Sequence, residues 1–156
     1  VTLYPWQAAV LANPRDPRKI NVVVCYVGGT GKSYLVSYLG VRGKAQQIPG
    51  TLEKADDVMQ WCMSFPEAEY YFLDMPRAIP QVEIGKMYAA LECIKSGYMY
   101  DKRHKGKQHY FQEIPEVWVF TNTPPNHKWL TNDRWAFWKI RDGELLPYED
   151  INNKDE

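Results

Sequence analysis

The chain has 156 residues, 45% of them hydrophobic, and its 19 basic and 19 acidic side chains give a formal net charge of zero. This size and composition fit one globular domain with a substantial core and exclude a disordered polyelectrolyte. Zero net charge means that any contact with nucleic acid must come from a local patch. Three widely spaced cysteines, Cys25, Cys62 and Cys93, argue against a disulfide framework or a cysteine-rich zinc site and favour a reducing compartment.

In chain order, residues 1–18 read as a short apolar helix around Trp6–Leu11 and a turn-rich linker, Asn13–Arg18. Residues 20–26, with three consecutive valines, predict a strand buried on both faces, as in a parallel sheet. Residues 32–39 predict a helix, and Ala45–Ile48 a short strand ended by Pro49-Gly50. Leu52, Ala55, Val58, Met59 and Cys62 recur at helical spacing. Tyr70–Leu73 predicts a second buried strand, and Val82–Ser96 a helix stopped by Gly97. Val117–Thr121 predicts a third buried strand and Trp135–Ile140 a fourth. The domain proper runs over 19–146, and residues 147–156 read as a polar, frayed tail. Alternating helices and apolar strands predict an α/β fold with a mostly parallel sheet, which places ligands at the carboxyl ends of its strands. There is no signal-peptide pattern and no apolar run long enough to span a bilayer, so the chain is read as not secreted and without a membrane partner.

Those carboxyl ends carry the informative residues. Gly28-Gly29-Thr30-Gly31-Lys32-Ser33, between a buried strand and a helix, has the chemistry of a phosphate loop (P-loop). Its glycines let backbone N–H groups face phosphate oxygens, Lys32 reaches the β- and γ-phosphates, and the Ser33 hydroxyl suits Mg²⁺. Tyr34 follows as the next residue of this ATP-binding segment. The general pattern has glycine where this chain has Tyr26. Asp74 ends the second buried strand, where P-loop proteins place a carboxylate associated with Mg²⁺; a strand-end aspartate can also cap a helix or turn. Asn122 ends the third, suited to orient an attacking water or simply to begin the turn before Pro124-Pro125. Arg134 is a candidate to stabilise transition-state charge in a neighbouring subunit, with Arg141 as second candidate. Between Gly97 and Phe111 aromatic arms flank a basic, glycine-containing tip. This predicts a hairpin on which Lys102, Arg103, His104, Lys105 and Lys107 hold DNA phosphates while rings stack on bases; a solvated charged turn is the plainer reading.

Trp6-Gln7, Arg18-Lys19-Ile20 and Gly28–Ser33 together resemble the helicase region of replication initiator (Rep) proteins of circular single-stranded DNA viruses. Phe72-Leu73-Asp74-Met75-Pro76-Arg77 is similar to the Walker B segment of the nanovirus-like members. Glu92–Gly97 and Lys102–Lys107 resemble the family's B′ motif and hairpin, Val119–Asn122 resembles motif C, and Asp133-Arg134-Trp135 resembles the segment of the arginine finger. The resemblance runs from about Trp6 to about Arg141. It implies a superfamily 3 helicase with an AAA+-like P-loop core, ATP and Mg²⁺ as cofactors, a hexameric ring threaded by single-stranded DNA, and the host cell nucleus as location. The endonuclease domain of such proteins has no counterpart in these residues. Met75 stands where family members often carry a second acid, and Glu92 is the substitute suggested by sequence position. Two other readings remain open: a small P-loop kinase, and an ATP-binding oligomerisation or DNA-binding module without turnover.

Overall fold

The computed structural model describes residues 2–26, 30–76, 79–103 and 105–149. Helices and strands alternate through the first five elements: α1 (Pro5–Ala12), β1 (Ile20–Val24), α2 (Lys32–Val41), β2 (Ala45–Ile48) and α3 (Ala55–Met63). They are followed by β3 (Tyr70–Asp74), α4 (Gln81–Lys95), the hairpin β4 (Tyr98–Asp101) and β5 (Lys107–Tyr110), then β6 (Glu116–Thr121), β7 (Trp135–Arg141) and β8 (Glu144–Pro147). Two 3₁₀ turns, His127–Trp129 and Asn132–Arg134, lie between β6 and β7.

Six strands form one sheet in the order β2-β3-β6-β1-β7-β8, and β4 and β5 form a separate two-stranded sheet. Every pairing from β2 to β7 in the large sheet is parallel. Only β8 runs antiparallel, against β7. The chain is therefore α/β with a mostly parallel sheet, as its sequence pattern predicts.

All residues of β1 and β6 are buried, which is why they are mostly apolar rather than alternating, with Asn21, Glu116 and Thr121 as the buried polar exceptions. Alternation still sorts their side chains between two layers. Ile20, Val22, Val24, Tyr71, Leu73, Val117 and Val119 face α3 and α4, where Val58, Met59, Cys62, Met87, Leu91 and Ile94 complete the core. Val23, Phe72, Trp118 and Phe120 face α1 and α2, against Trp6, Val10, Leu35 and Leu39. Each such side chain contributes about 1.5–3 kcal/mol by leaving water, so the two layers hold both sheet faces.

The registers define two edges. Ile20 is level with Trp135, and Tyr70 with Glu116, at the amino edge. Val24 is level with Thr121 and Lys139, and Asp74 with Phe120, at the carboxyl edge.

The ends differ in detail from the sequence reading. The first strand stops at Val24, and α3 begins at Ala55 rather than Leu52. The segment read as a tail instead starts inside β8: Pro147 pairs with Trp138, and the Tyr148 N–H donates to the Phe137 carbonyl at 3.0 Å. Residues 150–156 lie outside the described part.

Candidate functional site

Lys32 is the first residue of α2, and Gly31 is its N-cap in the left-handed region, at φ 92°. A side chain at Gly31 would be strained by that φ, and a Cβ there would come within 2.8 Å of Gln7 Nε2. Gly28 and Gly29 lie outside the described residues. Two side chains of α1 hold the rest of the loop. The Trp6 indole N–H donates to the Thr30 carbonyl at 2.8 Å, and Gln7 Nε2 donates to the Gly31 carbonyl at 2.8 Å. Gln7 Oε1 accepts the Tyr4 N–H, also at 2.8 Å. Trp6 and Gln7 are both 1% exposed. The sequence reading gave Trp6-Gln7 no role at the loop; its only signal was their place in the family pattern.

Asp74 ends β3 with its side chain 65% exposed, and its Oδ1 is 3.9 Å from Lys32 Nζ. The ammonium also lies 5.8 Å from the centre of the Phe120 ring, a distance at which the ring face attracts a cation. Lys32, Ser33, Asp74, Gln47 and Phe120 share one small cleft, about 20 Å³ in volume, room for about a single water-sized group. Ser33 and Tyr34 are exposed on the first turn of α2. The Thr30 hydroxyl is buried without a hydrogen-bond partner among the described residues.

The donor set suits Mg²⁺ as a nucleotide carries it. Mg²⁺ is usually held by one or two carboxylates together with substrate phosphates and waters. A hydroxyl at Ser33 and an open carboxylate at Asp74 meet that requirement. Among the described residues no group of three or more histidine, cysteine, aspartate or glutamate side chains could hold a metal on its own.

Position 75 explains the missing second acid. Met75 is 5% exposed and packs in the layer formed with α3 and α4. Alternation along β3 sends position 74 to the cleft and position 75 into the core. A carboxylate at 75 would be desolvated there rather than presented to phosphate.

Glu92 does not replace it, contrary to the sequence expectation. It lies in the last turns of α4, at the amino edge, with Oε2 3.6 Å from Arg134 Nε. Neighbouring Lys95 is at that same edge, bonded to Glu116 at the start of β6. The cleft is at the opposite ends of the strands.

Arg134 is likewise moved away from its expected role. It precedes β7 at the amino edge and is 8% exposed. Its guanidinium donates to the Arg18 carbonyl at 3.3 Å and to Ser96 Oγ at 3.2 Å. A side chain so enclosed does not present its charge to a neighbouring subunit. Arg141 is exposed and ends β7 at the carboxyl edge. Asn122 is the first residue after β6 and lines a cleft of about 60 Å³ with Met75, Pro76 and Thr121.

The hairpin is formed, with Tyr98 opposite Tyr110 and Asp101 opposite Lys107. One face packs inward through Met99, 1% exposed. The other carries Tyr98, whose ring lies 6.2 Å from Tyr100 and 5.1 Å from Tyr110, and Tyr110 is 70% exposed. Both ends of the hairpin are tied down. His109 Nε2 lies 2.6 Å from Glu67 Oε1. Near the tip, Asp56 in the first turn of α3 accepts from the Tyr100 hydroxyl at 2.7 Å and pairs with Lys102 at 2.6 Å. The Lys102 ammonium and the Tyr100 hydroxyl hold the Asp56 carboxyl below the usual carboxylate range. The same carboxylate pushes the Tyr100 phenol up to about 12. Arg103 turns back onto Asp101 at 2.9 Å, which pulls that carboxyl down to about 2. Of the predicted DNA contacts, Lys102 and Arg103 are thus committed to carboxylates. Lys105 and Lys107 are exposed and make no ion pair among the described residues. His104 lies outside the described residues.

The described residues form an α/β protein with a mostly parallel six-stranded sheet, and Lys32, Ser33 and Asp74 share a cleft at its carboxyl edge. Neither a protein-family model nor a curated protein matches the chain. Among the described residues, no helix is long and apolar enough to cross a membrane.

Proposed function

We propose that this chain is a P-loop ATPase of AAA+-like, superfamily 3 type, the helicase domain of a viral Rep protein that moves its hairpin along single-stranded DNA. The observation that carries this reading is Lys32 at the head of α2, 3.9 Å from the strand-end carboxylate of Asp74. An ammonium, a hydroxyl and a carboxylate converge where a helix N-terminus adds partial positive charge.

In this reading Gly28–Ser33 and Tyr34 hold the nucleotide, with Lys32 on the β- and γ-phosphates. Ser33 and Asp74 hold Mg²⁺, which when bound neutralises charge developing between those phosphates. Asn122 orients water at the γ-phosphate. Hydrolysis breaks the bond between the γ-phosphorus and the β–γ bridging oxygen, and water supplies the new oxygen. Arg141, exposed at the carboxyl edge, replaces Arg134 as the residue offered to the next subunit of a ring. Lys105 and Lys107 supply free cations to DNA, and the Tyr98–Tyr100–Tyr110 row supplies stacking faces.

A second reading is favoured by burial of Met75 and the remote position of Glu92: a module that binds ATP and DNA without turnover. The rate of phosphate release from MgATP, with and without single-stranded DNA, separates the two. The helicase reading expects turnover that rises several-fold with DNA. Nucleotide binding with no release above background supports the second reading. Transfer of phosphate to a nucleoside or nucleotide instead of water would identify a kinase.

A further inference from the structure

We infer that Trp6 and Gln7 are positioning residues for nucleotide phosphate, acting through the backbone of the loop; this rests on the ATP-binding reading above. In a planar trans peptide the carbonyl and the following N–H point in opposite directions. The Thr30 carbonyl is held toward α1 by the Trp6 indole, so the Gly31 N–H is turned away from α1. The Gly31 carbonyl accepts from Gln7 Nε2 at 2.8 Å as well as from the Leu35 N–H at 3.2 Å, so the Lys32 N–H is turned the same way. Two successive donors at the head of α2 are thereby aimed before any anion arrives.

The holding groups are themselves fixed. Gln7 uses both ends of its amide, accepting from the Tyr4 N–H and donating to Gly31. The Trp6 ring packs edge-on against Phe120, centroids 6.0 Å apart, and the Trp6 backbone N–H donates to the Gly143 carbonyl at 2.9 Å. That last bond ties α1 to the turn between β7 and β8. Gly31 has no Cβ, and one placed there would come within 2.8 Å of the Gln7 amide nitrogen. A loop so oriented binds phosphate without first giving up its own conformational freedom.

Two substitutions test the assignment. Gln7→Glu keeps an acceptor for the Tyr4 N–H and replaces the donor to Gly31. Trp6→Phe keeps an aromatic ring against Phe120 and removes the donor to Thr30. MgATP and MgADP affinities are measured by titration, beside the melting temperature of each nucleotide-free protein. The expected result is a loss of about tenfold in affinity for both nucleotides, the scale of one oriented bond to a charged group, with a melting temperature within a few degrees of the parent. Parent-like affinity in a folded variant would overturn the assignment. If Gln7→Glu does not fold, Trp6→Phe decides alone; failure of both to fold overturns the proposal by making the two side chains determinants of stability. A parent protein that binds neither nucleotide overturns the ATP reading itself and this inference with it.

Discussion

Lys32 and Arg134 are both cations near the ends of strands, yet their surroundings give them opposite tasks. Lys32 reaches into an open cleft toward a carboxylate that is itself largely exposed. Arg134 is enclosed and satisfies an oxygen from each of two other segments, the Arg18 carbonyl and Ser96 Oγ. Removing it leaves those acceptors and Glu92 without their cation, a loss typical of a broken buried network. Arg134→Ala is therefore expected to lower stability by about 2 kcal/mol, a fall of about 4–8 °C in melting temperature for a domain of this size. Arg141→Ala is expected to leave melting unchanged and to lower turnover in the assembled state. Melting curves and turnover of the two variants side by side check this; an Arg134→Ala protein with parental stability and no turnover would restore Arg134 to the finger role. Nothing local to Arg134 in the sequence reveals its enclosure. It follows from β7 pairing with β1 in parallel, a fact of topology.

The hairpin shows how an element can be legible while its charges are not. Aromatic arms around a glycine-containing tip foretell two short strands, and β4 and β5 form with that tip between them. The basic tip reads as five equivalent DNA contacts only when its acidic neighbours are ignored. Asp56 is far away in sequence and reaches Lys102 because the hairpin lies along α3. Its carboxyl, like that of Asp101, is held below its unfolded value. The contribution of both contacts is present above the ordinary carboxylate range and is lost as pH falls through the lowered values, so at neutral pH the Asp56 tether to α3 and the Asp101–Arg103 pair within the hairpin are both in place. Replacing Lys105 and Lys107 together by alanine is expected to reduce the salt slope of single-stranded DNA binding by about 1.4, at about 0.7 per phosphate contact. Replacing Lys102 and Arg103 is expected to change it less. Binding titrations across a salt series check this, and equal slopes for the parent and the Lys105–Lys107 variant would contradict it. β8 was illegible for another reason: Glu144–Pro147 is a short, partly exposed edge strand with no apolar period, and only pairing with β7 defines it.

Across the whole molecule the two edges of the sheet have separate roles. The amino edge is closed by buried charge: Lys95 donates to Glu116 at 2.8 Å and to the Pro115 carbonyl at 2.9 Å, with both charged side chains almost fully enclosed. Burial lowers the Lys95 pKa from its ordinary value, while its pairing with Glu116 opposes that shift. The carboxyl edge leaves polar groups open at Lys32, Ser33 and Asp74. Strands such as Val22–Val24 and Val117–Phe120 announce a parallel sheet in the sequence because burial on both faces requires apolar residues throughout. The assignment of Glu92 and Arg134 to one edge and Asp74 to the other depends on strand order, which apolar runs do not encode. In the proposed reading the carboxyl edge holds MgATP through Lys32. This is tested most directly by equilibrium binding of MgATP to the parent and to Lys32→Ala, with circular dichroism confirming an unchanged fold. Micromolar-range binding, on the order of −8 kcal/mol, is expected in the parent and at least a hundredfold loss in the variant; equal affinity in two equally folded proteins would rule out Lys32 as the phosphate-binding residue.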